Sequence, residues 1–299
     1  MTKGCPRRSA KGTSVNTREP RCPRQSARSW LTHHQTPVMS DRLSWSGETK
    51  QCDHHRETPT LKLPSIENLP PMPKPPDQPG GQTPLTLAML REHLTVPLLC
   101  DALDAHGYSH QSPRLPIVPL TTDGRLLAGR AKTMLWADMA HEDPNPYALE
   151  LAAIDSCQVD SVCVCAAAGS GRSGIWGELL TTAARNRGCI GVIVDGAVRD
   201  TARMRAMEFP VFARGTNPYD SRNRQRVIDF DIPVELDGVR VSPGDLIAAD
   251  IDGIVIVPQA VEHVVLAAAW AKVHAENQVR DAIVRGMSAT EAFRTFGVL

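Results

Sequence analysis

Ser161-Val-Cys-Val-Cys-Ala-Ala167, Gly169-Ser-Gly-Arg-Ser-Gly174, Gly177-Glu-Leu-Leu180 and Asp195-Gly-Ala-Val-Arg-Asp200 fall within one stretch, residues 161–200, and its reading decides the fold. The first run is apolar and β-branched in character, short, and bounded by glycine, which predicts a buried strand. The glycine-rich turn follows, then a helix over about Ile175 to Asn186. A second strand, Cys189 to Val194, delivers Asp195-Gly196, and the next helix is expected to start at Ala197 or Val198 with Arg199 and Asp200 in its first turn. Two strand-to-helix junctions side by side place an anion-holding loop next to one acidic and one basic side chain.

Working outward, Leu126 to Ala137 has strand character, and Leu85 to Leu94, Val96 to Ala105 and Tyr147 to Ile154 read as helices. His106 and His110 stand four apart, a metal-ligand spacing, but Gly107 between them marks a helix end. Past residue 200 the grammar changes. Phe209–Phe212, Ile232–Leu236, Val239–Val241, Leu246–Ala249 and Ile254–Val257 read as short strands joined by Asp-Gly and Pro-Gly turns. A long helix from Gln259 to about Arg285 and a capping box, Ser288-Ala-Thr-Glu291, close the chain. The expectation is an α/β domain with a mixed sheet, a β-rich C-terminal half and C-terminal helices.

The 299 residues carry 33 Lys+Arg and 33 Asp+Glu, so no overall field recruits nucleic acid. No apolar run reaches the roughly 18–20 residues that span a bilayer. Residues 1–84 are rich in Pro, Ser, Thr, Arg and Gln, lack hydrophobic periodicity, and read as a disordered basic extension and linker; residues 85–299 form the folded domain. Two readings of the basic beginning stay open: a transit peptide, or a natural start at Met39 or Met72. The eight cysteines form no C-x-x-C pair, which argues against a structural zinc site. Cys163 and Cys165 share one face of a strand and read as buried, reduced thiols, so a reducing, cytoplasmic setting is expected.

Gly169-x-Gly171-x-x-Gly174 matches the dinucleotide fingerprint literally, and Asp195 ends the next strand where a ribose-binding acid would stand. Against it, hairpins rather than alternating strands and helices follow, and Ile175-Trp-Gly-Glu sets a bulky side chain and an acid at the loop's mouth. A smaller anion suits better: the first amides of a helix have no internal acceptor, so those near Gly177 to Leu180 can hold a carboxylate. Glu178 and Asp200, both at helix starts, could share a hard divalent cation through oxygen and water. Arg199 beside them could hold a carbonyl oxygen as charge develops on it.

Gly177-Glu-Leu-Leu-Thr-Thr-Ala-Ala184, Arg187-Gly-Cys-Ile-Gly-Val-Ile-Val-Asp-Gly-Ala-Val-Arg-Asp200, Phe209-Pro-Val-Phe-Ala-Arg-Gly215 and Val241–Pro258 together resemble the RraA-like / 4-hydroxy-4-methyl-2-oxoglutarate aldolase family over roughly 86–297. The resemblance implies a swivelling β/β/α fold and a homotrimer, sometimes paired into a hexamer, with sites between subunits. It implies cleavage of 4-hydroxy-2-oxo diacids to pyruvate with Mg²⁺ or Mn²⁺, and oxaloacetate decarboxylation as a side activity. It further implies Asp200 as direct metal ligand and Glu178 as a ligand through water, where characterised aldolases often have Asp. Arg199 would take the keto or enolate oxygen, and the amides of Leu179 and Leu180 the pyruvate carboxylate. Glu276 would be an acid donated through water by a neighbouring subunit.

The chemistry agrees independently. Cleaving a bond beside a 2-oxo acid leaves an enolate, stabilised by a Schiff-base lysine or by a metal. Past the linker the lysines are Lys132 and Lys272, neither near the glycine loop in sequence. Arg172, Arg222 and Arg224 are candidates for a distal substrate carboxylate. A rival from another class remains: some RraA-like proteins regulate a ribonuclease by binding it, without catalysis.

Overall fold

The computed structural model describes residues 85–122 and 124–297. The expected extension, 1–84, lies outside the described residues. The sheet is built around β2 (Leu127–Asp138), which is long enough to serve three neighbours. Its first half pairs antiparallel with β9 (Leu246–Ala249), from Leu127 opposite Ala249 to Arg130 opposite Leu246. Its middle pairs parallel with β3 (Ser161–Ala166), and its end pairs antiparallel with β6 (Gln225–Phe230). From β3 the sheet continues in parallel through β4 (Gly191–Val198) to β5 (Val211–Thr216), then antiparallel to β1 (Val118–Thr121). On the other flank β9 pairs with β10 (Ile254–Val257). A separate hairpin, β7 (Val234–Leu236) with β8 (Val239–Val241), turns at Asp237-Gly238, both with positive φ. The eight-stranded sheet is mixed, as expected, and its helices cover it in the swivelling β/β/α arrangement.

Parallel strands covered on both faces are near-continuously apolar, and every residue of β3 and β4 is buried, with Asp195 the charged exception. Helices α3 (Ala148–Asp155), α4 (Glu178–Asn186) and α5 (Thr201–Ala206) pack one face, with Ile154, Trp176, Ala184 and Met204 in the shared core. Helices α1 (Leu87–His93), α2 (Val96–Ala105) and α6 (Glu262–Val284) close a second core over β9 and β10, centred on Leu99, Leu103, Val255 and Trp270. The hairpin covers a third, with Leu236 and Val241 against Ile193 and Phe212. Helix α7 (Ala289–Phe296) opens as expected: Ser288 Oγ accepts from Glu291 N at 3.2 Å. Gly107, at φ 82°, sits just past the end of α2, which bears out the helix-end reading of His106 and His110.

Three sequence expectations are corrected. β1 and β6 are additional strands, both on the sheet's margins. The long helix begins at Glu262, after a 3-10 turn at Gln259–Val261. β4 runs through Asp195 to Val198, and its helix starts only at Thr201. Asp195 does not end the strand because Arg214 of β5 pairs with its carboxylate inside the structure.

Gly129 of β2 is required by packing: a Cβ there would lie 2.8 Å from Val162 Cγ2 and 2.9 Å from Ile190 Cδ1, with the Asp160 carbonyl closer still. Gly129→Ala is therefore expected to lower stability by about 1–3 kcal/mol, read as a fall in the urea midpoint at unchanged slope.

Candidate active site

Three backbone segments are stitched together beyond the C-terminal ends of β3 and β4. Ile175 N donates to Ala197 O at 3.0 Å and Arg199 N to Trp176 O at 2.8 Å. Gly174 N donates to Tyr219 O, and Asn217 N to Val198 O, each at 2.9 Å. Trp176 is buried, and its indole N–H donates to Thr181 Oγ1 at 2.8 Å, while the same hydroxyl donates to Gly177 O at 2.9 Å. This fixes the entry into α4. Between the segments lies a cavity of about 280 Å³, lined on its polar side by Tyr147, Glu150, Arg199, Asp200, Asp220 and Ser221.

Asp200 holds the left-handed conformation, φ 58° and ψ 28°, which is uncommon for a residue with a side chain and turns its carboxylate back toward α4. Glu178 N approaches Asp200 Oδ2 at 3.4 Å. Gly177 permits this approach, because a Cβ there would stand 2.6 Å from that oxygen. The first helical bond of α4 is Thr181 N to Gly177 O at 3.0 Å, so the amides of Leu179 and Leu180 precede it and need outside acceptors. Arg199 donates to Asp220 Oδ2 at 2.7 Å and has its Nε 3.9 Å from Asp200 Oδ2. Asp220 also accepts from the Tyr147 hydroxyl and from Arg222 N, both at 2.7 Å. Burial opposes charge on Asp220, but these donors together with Arg199 hold its pKa below the ordinary value. Burial and the bond to Asp220 push the Tyr147 phenol up to about 12.

Glu150 was not singled out in the sequence, where an acid in a helix's first turn is ordinary. Here it is buried on the cavity wall, and its Oε2 has no hydrogen-bond partner among the described residues. Burial first, then the charge of Asp220, raises its pKa to about 8, against a smaller pull from Arg199. Glu150 therefore carries a proton at neutral pH.

The structure brings Gly177, Leu179, Leu180, Arg199 and Asp200 to one cavity. Glu178 is half-buried beside it, its amide rather than its carboxylate meeting Asp200. Glu276 stands on α6, with Oε1 3.8 Å from Lys272 Nζ, and does not line this cavity within the chain. Of the distal-carboxylate candidates, Arg224 is occupied by the Asp220 and Arg222 carbonyls and by the Tyr219 ring; Arg172 and Arg222 are exposed outside the lining. Neither lysine lines the cavity: Lys132 is buried on Ser156 and Asp231, and Lys272 pairs with Asp101. The glycine loop does not cradle a dinucleotide at a helix start, because Ile175 and Trp176, both buried, separate Gly174 from α4. Gly169 and Asp195 do border a larger cleft, about 540 Å³, but Asp195 is buried and held by Arg214.

A divalent ion fits the donor set. Asp200 is a half-exposed carboxylate whose cationic neighbour, Arg199 Nε, stands back at 3.9 Å, and one hard oxygen ligand completed by water is how Mg²⁺ is commonly held.

The chain belongs to the RraA-like family: the family model, Aldolase/RraA, matches residues 96–256. A protein of Halalkalibacterium halodurans named "Putative 4-hydroxy-4-methyl-2-oxoglutarate aldolase" is 31% identical over 202 residues, 67% of this chain and 90% of that one. Protein DlpA of Legionella pneumophila is 31% identical over 65% of this chain, which spans only 31% of DlpA's length. Among solved structures, an uncharacterised protein of Pseudomonas syringae superposes with TM-score 0.63 at 28% identity, covering 73% of this chain and 98% of that one. RraAS2 of Streptomyces coelicolor, described as an unusual member of the RNase ES inhibitor RraA family, gives TM-score 0.59 at 27% identity, over 68% and 99%. The fold expected from the sequence is thereby borne out.

The Glu150 environment predicts a pH-dependent stability. A raised folded pKa stabilises fully below the unfolded value of 4.5 and is lost as pH rises through about 8. Glu150→Gln should remove this loss. Its urea-unfolding free energy should exceed wild type by roughly 2–5 kcal/mol at pH 9, with no comparable excess at pH 4.

Proposed function

We propose that this chain is a divalent-metal-dependent lyase that cleaves 4-hydroxy-2-oxo diacids of the 4-hydroxy-4-methyl-2-oxoglutarate type to pyruvate, with oxaloacetate decarboxylation as a side activity. The observation that carries the reading is the meeting of Asp200, Arg199 and the first amides of α4 in one cavity. Asp200 would hold Mg²⁺ or Mn²⁺ directly, Glu178 through water, and Glu276 of a neighbouring copy through water in a homotrimer or hexamer. Bound there, the ion supplies Lewis-acid polarisation of the 2-oxo group.

The chain's own groups do the rest. The amides of Leu179 and Leu180 take the substrate's 1-carboxylate, aided by the helix dipole at about 0.3–1 kcal/mol. Arg199, held in place by Asp220, donates to the 2-oxo oxygen as it gains negative charge. Glu150, whose carboxyl burial pushes up to about 8, would give a proton to the carbon that inherits the electron pair, while the substrate's 4-hydroxyl proton leaves to solvent as the bond breaks. Trp176 and Leu180 supply apolar wall to the same cavity.

A ribonuclease-binding role is the second reading, favoured by the likeness to RraAS2. Such a role needs a surface, and nothing in it calls for a buried protonated acid facing a paired arginine.

Asp200→Asn should abolish pyruvate release in a coupled assay over oxaloacetate and branched 4-hydroxy-2-oxo diacids with added Mg²⁺ or Mn²⁺, while the circular dichroism stays unchanged. Full turnover by this variant in EDTA would overturn the assignment. Arg199→Ala should lower kcat by about 10²–10³, in the range for losing one oxyanion donor.

A further inference from the structure

Away from this cavity, at the N-terminal ends of the parallel strands, three cysteines from three separate segments converge. Cys157 follows α3, Cys163 lies in β3, and Cys189 precedes β4. Cys163 Sγ stands 3.6 Å from Cys157 Sγ and 3.6 Å from Cys189 Sγ, and all three sulfurs lie within 4.8 Å of one another. All three residues are buried in the same core, with Cys157 the most accessible at 8%. Cys165, two residues along the strand and also buried, is not part of the group. We propose that Cys157, Cys163 and Cys189 form a three-sulfur site for a soft monovalent cation of the Cu(I) class.

Sulfur–metal bonds of about 2.3 Å set sulfur–sulfur edges of roughly 3.7–4.0 Å. The two edges at Cys163, both 3.6 Å, are close to that, and the third, from Cys157 to Cys189, is within 4.8 Å. Three sulfurs select a soft ion over Mg²⁺ or Ca²⁺, which take oxygen. They also discriminate against structural zinc, which takes four ligands. No fourth histidine, cysteine or carboxylate joins the three among the described residues. Loading breaks three S–H bonds, forms three sulfur–metal bonds and releases three protons to solvent, with no change in oxidation state. The bond with Cys163 lowers the Cys157 pKa, but the bond with Cys189 and burial outweigh it and raise the thiol to about 12, so the ion has to displace protons that the free protein holds firmly. Lys132, which donates to Ser156 Oγ at 2.8 Å and pairs with Asp231 at 2.6 Å, gives only a smaller opposing pull. The site is on the opposite edge of the sheet from Asp200, so it stands or falls separately from the lyase reading.

The test uses the full chain with Cys5, Cys22, Cys52 and Cys100 replaced by serine, reduced and kept anaerobic. Cu(I), supplied as its acetonitrile complex, is titrated in competition with a colorimetric Cu(I) chelator. One equivalent is expected to bind, with an ultraviolet sulfur-to-metal charge-transfer band and a raised Tm. Cys157→Ala, at the least buried position, should weaken binding at least tenfold and remove the band, and Cys189→Ser should do the same. Cys165→Ala should leave both intact. Equal binding by the Cys157→Ala and parent proteins, or the lack of a band in the parent, would overturn the proposal.

Discussion

The hydrogen bonds that tie Ile175 and Trp176 to Ala197 and Arg199 are the constraint on which the site depends. They run β4 past its last parallel partner in β3 and lay the approach to α4 along it, so two helix starts that are distant in sequence share one corner. An isolated bridge between Gly174 and Ala197 marks the same junction. Glycine is needed where these backbones meet. A Cβ at Gly174 would lie 2.9 Å from Arg199 Cβ, and one at Gly177 would strike the Asp200 carboxylate. With both contacts open, Arg199 and Asp200 need no loop flexibility to reach the cavity. That rigidity is what a site stabilising a short-lived enolate would demand.

How far the sequence discloses this depends on the range of the forces involved. The apolar runs of β3 and β4 were legible, because local periodicity and turn chemistry determine them. The start of α4, expected at about Ile175, falls at Glu178, because Ile175 and Trp176 are drawn into bonds with Ala197 and Arg199. The end of β4 was not. Asp195 reads as a strand terminator until Arg214, from the neighbouring strand, is known to meet it in the interior. β6 escaped for a related reason: Gln225 to Phe230 mixes polar and apolar residues, and its strand character comes from pairing with the far half of β2. Asp200 and Arg199 both reach the cavity wall, yet the helix they were expected to enter begins after both.

Glu150 shows the same limit at the level of chemistry. Within Ala148–Asp155 it is one more acid near a helix N-terminus, where the dipole would favour its charge. What reverses that preference is tertiary. Burial removes water, and Asp220, fixed by Tyr147, Arg222 and Arg199, sets a second negative charge nearby. One acid is held below its ordinary pKa by its donors, and the other is pushed above it by burial and by the first acid's charge. Two carboxyl groups driven apart in this way are how a protein assigns charge and proton to separate places in one pocket.

The cysteines follow from the strand geometry. Alternation along β3 sends Cys163 and Cys165 to one face, as the sequence indicated, but the partners of Cys163 come from outside the strand. The turn after α3 and the approach to β4 both reach the strands' N-terminal edge, where Gly188, at φ 90°, bends the chain so tightly that a Cβ would meet Val159 Cα at 2.8 Å. That contact brings the segments carrying Cys157 and Cys189 together. One sheet thus gathers carboxylates and a positive charge at the edge where its parallel strands end, and sulfur at the edge where they begin. Hard and soft ions would be directed to opposite sides of the same core by donor chemistry alone.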